Sequence, residues 1–178
     1  MAPVSRTPIP VEAVRLRPLR TSDEAVVRAA HQAMSEDNFT FGLGLTPDMA
    51  WSHYLSTLEG QQRGSSNLPD GIVAATYLVA IADGQVVGRT SIRHTLNDSL
   101  RRRGHISYGV LAQFRRRGYG TAILGHSLTI ARALGIDRAL ITCDEDNVGS
   151  QQIESCGGAL ESVEPHTDGT LIRRYWID

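Results

Sequence analysis

Residues 115–120 combine three arginines with two glycines in the order RRRGYG, and the helical pattern TAILGHSLTIARALG follows directly. The first turn of a helix leaves backbone N–H groups without partners and carries the positive end of the helix dipole. Glycines remove the Cβ atoms that would keep a ligand away from these groups, and arginines add charged donors. The segment therefore predicts a phosphate-binding turn. The alternative is a solvent-exposed basic turn in which the glycines only allow the backbone to bend and bind no ligand.

Two common phosphate motifs do not fit this turn. A dinucleotide fingerprint of the GxGxxG type needs a third glycine, and Gly125 comes too late in the chain. A Walker motif needs a lysine, and all 18 basic residues are arginines. The turn is therefore expected to bind a diphosphate in a different structural context.

The composition excludes several classes of function. A chain of 178 residues predicts one domain with a sizeable core. The net charge of −1 disfavours a nucleic-acid binder or a protein held on an anionic membrane. No signal peptide or membrane span is predicted, so a cytoplasmic protein is expected. Cys143 and Cys156 are expected to be free thiols; they lack zinc spacing, and no metal site is predicted.

The periodicity predicts an α/β chain with a three-strand meander before the basic turn and a strand–helix–strand unit around it. Asp83-Gly84 marks a two-residue hairpin, Pro47 is expected at the start of a helix, and Gly135 ends another. The predicted strands are 14–17, 75–82, 85–94, 105–111, 138–143, 159–165 and 170–177. The predicted helices are about 22–34, 46–62, 118–134 and 148–156.

The segment GVLAQFRRRGYGTAIL resembles the signature turn of the GNAT N-acetyltransferase superfamily, with Arg115, Gly118 and Gly120 at its three defining positions. The order of predicted elements agrees with that superfamily. The stretch NVGS at 147–150 resembles a later motif that contains asparagine. ITCDEDNVGS, Gly157-Gly158 and the terminal RRYWI resemble a bacterial subgroup of small acetyltransferases, over residues 12–178.

The resemblance implies the GNAT acyltransferase fold: a mixed, mainly antiparallel sheet with one parallel, splayed strand pair and about four helices. It implies a single domain over 13–178 after a flexible lead-in at 1–12. The cosubstrate implied is acetyl-CoA, with no metal.

The resemblance also implies which residues bind this cosubstrate. Its pantetheine arm pairs with backbone around Tyr108–Leu111, beside Asn147 and Ser150, and its diphosphate lies on the amides of Arg116–Thr121. The implied cofactor-binding residues are Tyr108, Val110, Leu111, Arg115, Arg116, Arg117, Gly118, Tyr119, Gly120, Thr121, Asn147 and Ser150.

The implied activity is transfer of an acetyl group to a primary amine of a small molecule or peptide, with a homodimer left open. Many family members place a tyrosine in the helix after the asparagine motif, but this helix reads VGSQQIESCGG. A non-catalytic acyl-CoA-binding module is therefore kept as the alternative.

The catalytic candidates are two carboxylates. Asp144 ends the strand after the crossover helix, where it either faces the ligand crevice or belongs to an acid cluster at a helix start. Glu154 is either catalytic or an exposed helix carboxylate. His105 is expected to be structural, and residues 101–103 are expected to form a solvated arginine turn. Three aromatic residues either line an acceptor pocket or fill the core: Phe39, Phe41 and Trp51.

Overall fold

The computed structural model describes residues 13–64, 68–144, 150–165 and 168–178, so the predicted lead-in at 1–12 lies outside the described residues. The strands are β1 Arg15–Arg17, β2 Ala75–Ala82, β3 Gln85–Arg93, β4 Ile106–Val110, β5 Ala139–Asp144, β6 Ala159–Pro165 and β7 Leu171–Ile177. The helices are α1 Glu24–Ser35, α2 Trp51–Arg63, α3 Tyr119–Ala133 and α4 Ser150–Ser155.

Strands β1 to β4 form an antiparallel sheet in that spatial order. The predicted hairpin between β2 and β3 is confirmed: Asp83 and Gly84 both have positive φ, 48° and 74°, as tight two-residue hairpins require. Strand β4 lies at one edge of this sheet and hydrogen-bonds to β3 on its other side.

Strands β5, β7 and β6 form a second antiparallel sheet, so the strand pair that the resemblance implies to be splayed, β4 and β5, lies at the boundary between two sheets. The two sheets meet where the His105 N–H donates to the Leu140 carbonyl (2.7 Å). The Leu140 N–H donates to Nδ1 of His105 (2.9 Å), a side-chain atom. Beyond this junction β4 and β5 belong to different sheets and line opposite walls of an open groove.

The helices cover opposite faces of the first sheet. Tyr77 and Val79 of β2 pack in the cluster that contains α1 and α2. Ala80 and Ala82 pack against the start of α3. The period-two alternation of the strand therefore separates two layers of core, as a sheet buried on both faces requires.

Helix α2 begins at Trp51, later than predicted from Thr46 and Pro47. The Arg28 guanidinium of α1 donates to the carbonyls of Thr46 (3.3 Å), Pro47 (3.4 Å) and Met49 (2.6 Å). These carbonyls have partners outside a helix, so the segment stays a turn bound to α1.

No helix in the described part of the chain is both long and apolar enough to cross a membrane.

Candidate functional site

A groove opens between β4 and β5 beyond the His105–Leu140 junction. Its volume is about 940 Å³, within the range of roughly 300–1,000 Å³ typical of small-molecule sites. Residues 106–110 line one wall and residues 141–144 line the other. Parts of the α1–α2 connection and of the turn before α3 complete the lining. This groove corresponds to the splayed strand pair that the family resemblance implies.

Alternate residues of β4 direct their backbone polar groups toward this groove. The Arg93 N–H donates to the His105 carbonyl (2.8 Å), which places the odd-numbered residues of β4 in hydrogen-bonded pairs with β3. In an antiparallel ladder the intervening residues point away from that partner. The N–H and C=O groups of Tyr108 and the N–H of Val110 therefore face the open edge, where an extended ligand can pair with them, while the Val110 carbonyl accepts from Arg115.

Leu111 has the opposite orientation, and the structure does not bring it to the groove. Its N–H donates to the Val87 carbonyl (3.0 Å), and its carbonyl accepts from the Phe114 N–H (2.8 Å). Its side chain is buried among core residues. The expected backbone contact from this residue is therefore not available, because strand alternation turns its polar groups toward β3.

The turn before α3 has the backbone geometry of an anion site. Arg116 and Gly118 both adopt positive φ, 61° and 89°, and Gly118 is the N-terminal cap of the helix. The Ala122 N–H donates to the Gly118 carbonyl (3.1 Å), which leaves the N–H groups of 119–121 without acceptors within the helix. Arg116, Gly118 and Gly120 line the groove. Unpaired amides and the helix dipole favour an anion at this point.

The two arginines on either side of Arg116 are engaged within the protein. Arg115 forms an ion pair with Asp37 (2.6 Å) and donates from Nε to the Val110 carbonyl (3.1 Å), while still lining the groove. Arg117 places its guanidinium 5.9 Å from the centre of the Phe114 ring. Arg117 does not line the groove, so it can act on a ligand there only through the long-range attraction of its positive charge.

Tyr119 and Thr121 contribute backbone rather than side chains to this turn. Tyr119 is buried and meets Phe114 edge to face, with ring centres 5.9 Å apart. Thr121 is half-buried on the first turn of α3, away from the groove lining. Their N–H groups belong to the unpaired set at the helix start.

The two catalytic candidates lie in different environments. Asp144 is exposed at the end of β5 and lines the groove. Glu154 is exposed on α4, where it accepts a hydrogen bond from the Tyr175 hydroxyl (3.1 Å), and it does not line the groove. Asn147 lies outside the described residues, as does the side chain of Ser150.

Among the described residues that line the groove, Tyr108 is the one tyrosine. Its ring packs on the side of the sheet that faces α3. Burial raises the pKa of its hydroxyl, and the nearby thiols of Cys156 and Cys143 raise it further. The phenol is therefore protonated at neutral pH.

Arg89 is a site residue that the sequence reasoning missed. Only 1% of its surface is exposed, yet it lines the groove. Its guanidinium donates to the carbonyls of Ser107 (2.8 Å) and Thr40 (2.6 Å) and lies 4.3 Å from the centre of the Phe39 ring. Burial lowers the pKa of Arg89 to about 10, so it remains charged at neutral pH.

The signal for Arg89 is present in the sequence. Arg89, Ser91 and Arg93 occupy alternate positions of β3, whose sequence is QVVGRTSIR. Alternate positions share one face of a strand. A polar face inside a central strand therefore marks a face that borders a site rather than core.

The three arginines at 101–103 are all exposed, as the prediction of a solvated turn requires. Arg101 does pair with Asp98 (3.8 Å) away from the groove. Arg102 and Arg103 are exposed but line the groove.

Of the three aromatic candidates for an acceptor wall, Phe39 lines the groove. Phe41 and Trp51 are buried in the core with α1 and α2. Across the described ranges no cluster of three or more metal-binding side chains is found.

Several solved structures share this fold over nearly the whole chain. RimJ of Mycobacterium smegmatis in complex with CoA-disulfide has a TM-score of 0.67 and 22% identity, over 92% of this chain and 81% of that one. The yncA structure of Salmonella typhimurium, with its cofactor acetyl-CoA, has a TM-score of 0.65 and 17% identity, over 93% and 94%. A GNAT-family acetyltransferase of Streptococcus pneumoniae has a TM-score of 0.64 and 18% identity, over 92% and 98%.

The sequence comparisons identify the family. A search of curated proteins gave no match. The family model described as acetyltransferase (GNAT) domain matches residues 13–158, which include the splayed strands, the basic turn and all four helices. The chain therefore belongs to the GNAT acetyltransferase family.

Proposed function

We propose that this protein is an acetyl-CoA-dependent N-acetyltransferase that acetylates a primary amine of a small molecule or a peptide. The observation that carries this proposal is the groove between the two diverging strands β4 and β5. The unpaired N–H groups at the start of α3 lie at one point of its wall, and the unpaired backbone edge of β4 runs along it. The residues present therefore suit a long, anionic thioester.

The turn before α3 would hold the diphosphate of the cosubstrate. The N–H groups of 119–121 supply the donors, and Arg116 adds charge beside them. Arg115 acts differently: its bonds to Asp37 and Val110 fix the turn to the groove wall.

The open edge of β4 would hold the pantetheine arm. The backbone groups of Tyr108 and the N–H of Val110 face the groove and can pair with amides of an extended ligand. The Val110 carbonyl already accepts from Arg115. A backbone N–H of this edge is also suited to stabilise negative charge on the thioester oxygen.

Proton transfer requires an acceptor for the amine proton and a donor for the departing thiolate. Asp144 is the carboxylate at the groove end of β5 and is placed to take the amine proton directly or through water. Tyr108 carries a protonated phenol in the groove wall and can supply the second proton.

The alternative is a non-catalytic acyl-CoA-binding module. The helix α4, SQQIES, contains no tyrosine, which favours this alternative. Release of free thiol from acetyl-CoA in the presence of amines separates the two functions, because a binding module gives ligand stabilisation without turnover.

A peptide acceptor is supported by likeness to proteins that modify ribosomal proteins. A structure solved as RimL, the ribosomal L7/L12 alpha-N-protein acetyltransferase, has a TM-score of 0.62 and 20% identity over 95% of this chain. Likeness at this identity is a likeness of fold, so the acceptor must be determined by assay.

Gly118→Asp and Gly118→Asn test the assignment as a pair. Both side chains tolerate the left-handed backbone at φ 89°, and they differ in charge. We expect the aspartate variant to weaken CoA binding at least about 100-fold by placing a carboxylate against the diphosphate, and the asparagine variant to bind several-fold more tightly than the aspartate variant. Calorimetric titration with CoA measures both. Gly125→Asp is the control, since a Cβ there meets no atom within 4 Å and the position is away from the turn.

The proposal is contradicted if the folded aspartate variant binds CoA as tightly as the wild type. It is also contradicted if the wild type binds CoA but releases no thiol with a broad panel of amines.

A further inference from the structure

Four arginines line the part of the groove that the phosphate turn leaves free: Arg89, Arg93, Arg102 and Arg103. Among the described lining residues the carboxylates are Asp144 and Asp37, and Asp37 is paired with Arg115. The chain as a whole has a net charge of −1, so this positive concentration belongs to the groove and not to the protein in general.

These guanidinium groups have no carboxylate partner within the described residues. Arg89 is buried, donates to two backbone carbonyls, and its Nε has no hydrogen-bond partner. Arg93 donates to the Gly104 carbonyl (2.9 Å). Buried charges are normally paired, because desolvation without a counter-ion is unfavourable. The arrangement is electrostatically incomplete and would be completed by an anion.

The arginines also lie close enough to repel one another. Burial lowers the pKa of Arg93, and the charge of Arg103 lowers it further. The charge of Arg93 in turn lowers the pKa of Arg89, after the larger effect of burial. A shared anionic ligand would relieve this repulsion.

The cosubstrate phosphates do not account for this cluster. Arg102 and Arg103 precede β4, whereas the phosphate turn follows it. The five residues of β4 separate the two groups by about 16 Å at the rise of a strand. A ligand other than the diphosphate must therefore provide the anion.

The cluster lies on the face of the sheet opposite α3. Arg89 pairs in register with Gly109, and a Cβ at Gly109 would lie 2.5 Å from the Phe39 ring. Phe39 belongs to the connection after α1, and Arg93 shares the face of Arg89 in β3. The α1 side of the groove wall therefore carries Arg89 and Arg93, with Phe39 against Arg89.

We propose that the acceptor is an amine that carries at least one carboxylate close to the amino group, and that Arg93, Arg102 and Arg103 bind this carboxylate. Arg89 forms the buried base of the same positive surface and holds Thr40 and Phe39 in the wall. This inference rests on the proposed function, and it narrows the acceptor from any primary amine to an anionic one. A free amino acid and a peptide with acidic residues near its N-terminus both present this chemistry.

Matched acceptor pairs test the inference. One pair is an amino acid and its carboxamide; the other is a tetrapeptide with glutamates at its second and third positions and the same peptide with glutamines. Thiol release from acetyl-CoA gives kcat/KM for each. We expect kcat/KM for the anionic member of at least one pair to exceed that of its neutral counterpart about tenfold or more. A preference within the amino-acid pair indicates a small-molecule acceptor, and a preference within the peptide pair indicates a peptide acceptor.

The variant Arg102→Gln/Arg103→Gln should abolish most of this preference by lowering kcat/KM for the anionic acceptor. Its CoA affinity and its rate with the neutral acceptor should remain near the wild type. Arg101→Gln is the matched control from the same turn, since Arg101 pairs with Asp98 away from the groove. Equal kcat/KM within both pairs, or a preference that survives the double substitution, would overturn the inference.

A second readout keeps the inference separate from the proposed function. If CoA binds but no acceptor is turned over, the acetyltransferase proposal fails and the anion site is judged by binding. Calorimetry should then show the anionic member of a pair binding the CoA complex at least several-fold more tightly than its neutral counterpart, and the double variant should lose this difference. Equal binding of the two members would overturn the anion site on its own.

Discussion

Residues of one type perform different tasks around this groove. Arg115 fixes the turn to Asp37 and to β4, Arg116 borders the groove, and Arg117 covers the Phe114 ring. Arg89 is buried and bonds the Phe39–Thr40 segment to the sheet. The charge of an arginine does not by itself show that it binds a ligand. Its hydrogen-bond partners and its position in the groove wall determine whether it is available to do so.

Asp144→Asn and Glu154→Gln test the two carboxylates. If Asp144 takes the amine proton, its substitution should lower kcat by about 100-fold while CoA affinity stays near the wild type. Glu154 lies outside the groove lining, so its substitution should leave turnover nearly unchanged. Steady-state kinetics with one amine, together with CoA titrations, measures both. A large loss in the Glu154 variant with normal turnover in the Asp144 variant would reverse the assignment.

A side-chain contact joins the two sheets at the point where β4 and β5 diverge. The Nδ1 atom of His105 accepts the Leu140 N–H, and Leu140 is buried. Gly104 permits the approach, because a Cβ there would lie 2.4 Å from the Leu140 carbonyl oxygen. The contact fixes β5 to the start of β4, and the open edge of β4 that follows is the groove wall.

The pKa of His105 makes this junction sensitive to pH. Burial, with the charge of Arg93, lowers its pKa from the ordinary value of 6.5. Because the folded pKa is depressed, the stabilisation is complete above pH 6.5 and is lost as the pH falls from 6.5 through the folded value. We expect the free energy of unfolding to decrease between pH 7.5 and pH 5, and to decrease less in His105→Asn.

His105→Ala should lower the free energy of unfolding at pH 7.5 by about 1–3 kcal/mol, because the buried Leu140 N–H loses its acceptor. His105→Asn should retain part of this stability, since the amide oxygen can replace Nδ1. Urea unfolding of the three proteins provides the comparison. Burial also lowers the pKa of His94, so His94 contributes to the pH dependence of all three proteins. The contribution of His105 is therefore read from the difference in pH dependence between the wild type and the two variants. Identical pH dependence in all three would rule out the junction as its source.

At the scale of the whole molecule, the sequence predicts the fold more fully than the site. Strand alternation and the Asp83-Gly84 hairpin signal place β2 and β3 to within a residue, and the RRRGYG turn indicates where α3 begins. These signals are local. The groove between the strands on either side of α3 is instead implied by the family resemblance.

The features that the sequence did not predict depend on contacts between distant residues. The side-chain junction between the two sheets is made by His105 and Leu140, and the late start of α2 depends on Arg28. The role of Arg89 depends on Thr40, which lies 49 positions away along the chain. The periodicity of apolar residues and the spacing of local motifs do not predict contacts between residues that are far apart in the sequence.

The whole molecule also separates its charges. The net charge is −1, yet arginines outnumber carboxylates in the described lining of the groove. The positive potential is therefore confined to the cleft, where low-dielectric walls strengthen it for anionic ligands. Both the cosubstrate and the proposed acceptor fit such a cleft.

Residue-resolved amide exchange with and without CoA tests most directly whether backbone groups bind the cosubstrate. The account predicts slower exchange on CoA binding at the amides of 119–121 and of Tyr108 and Val110, with amides of α2 unchanged. Exchange that stays the same at both sets of amides in a protein saturated with CoA would contradict it.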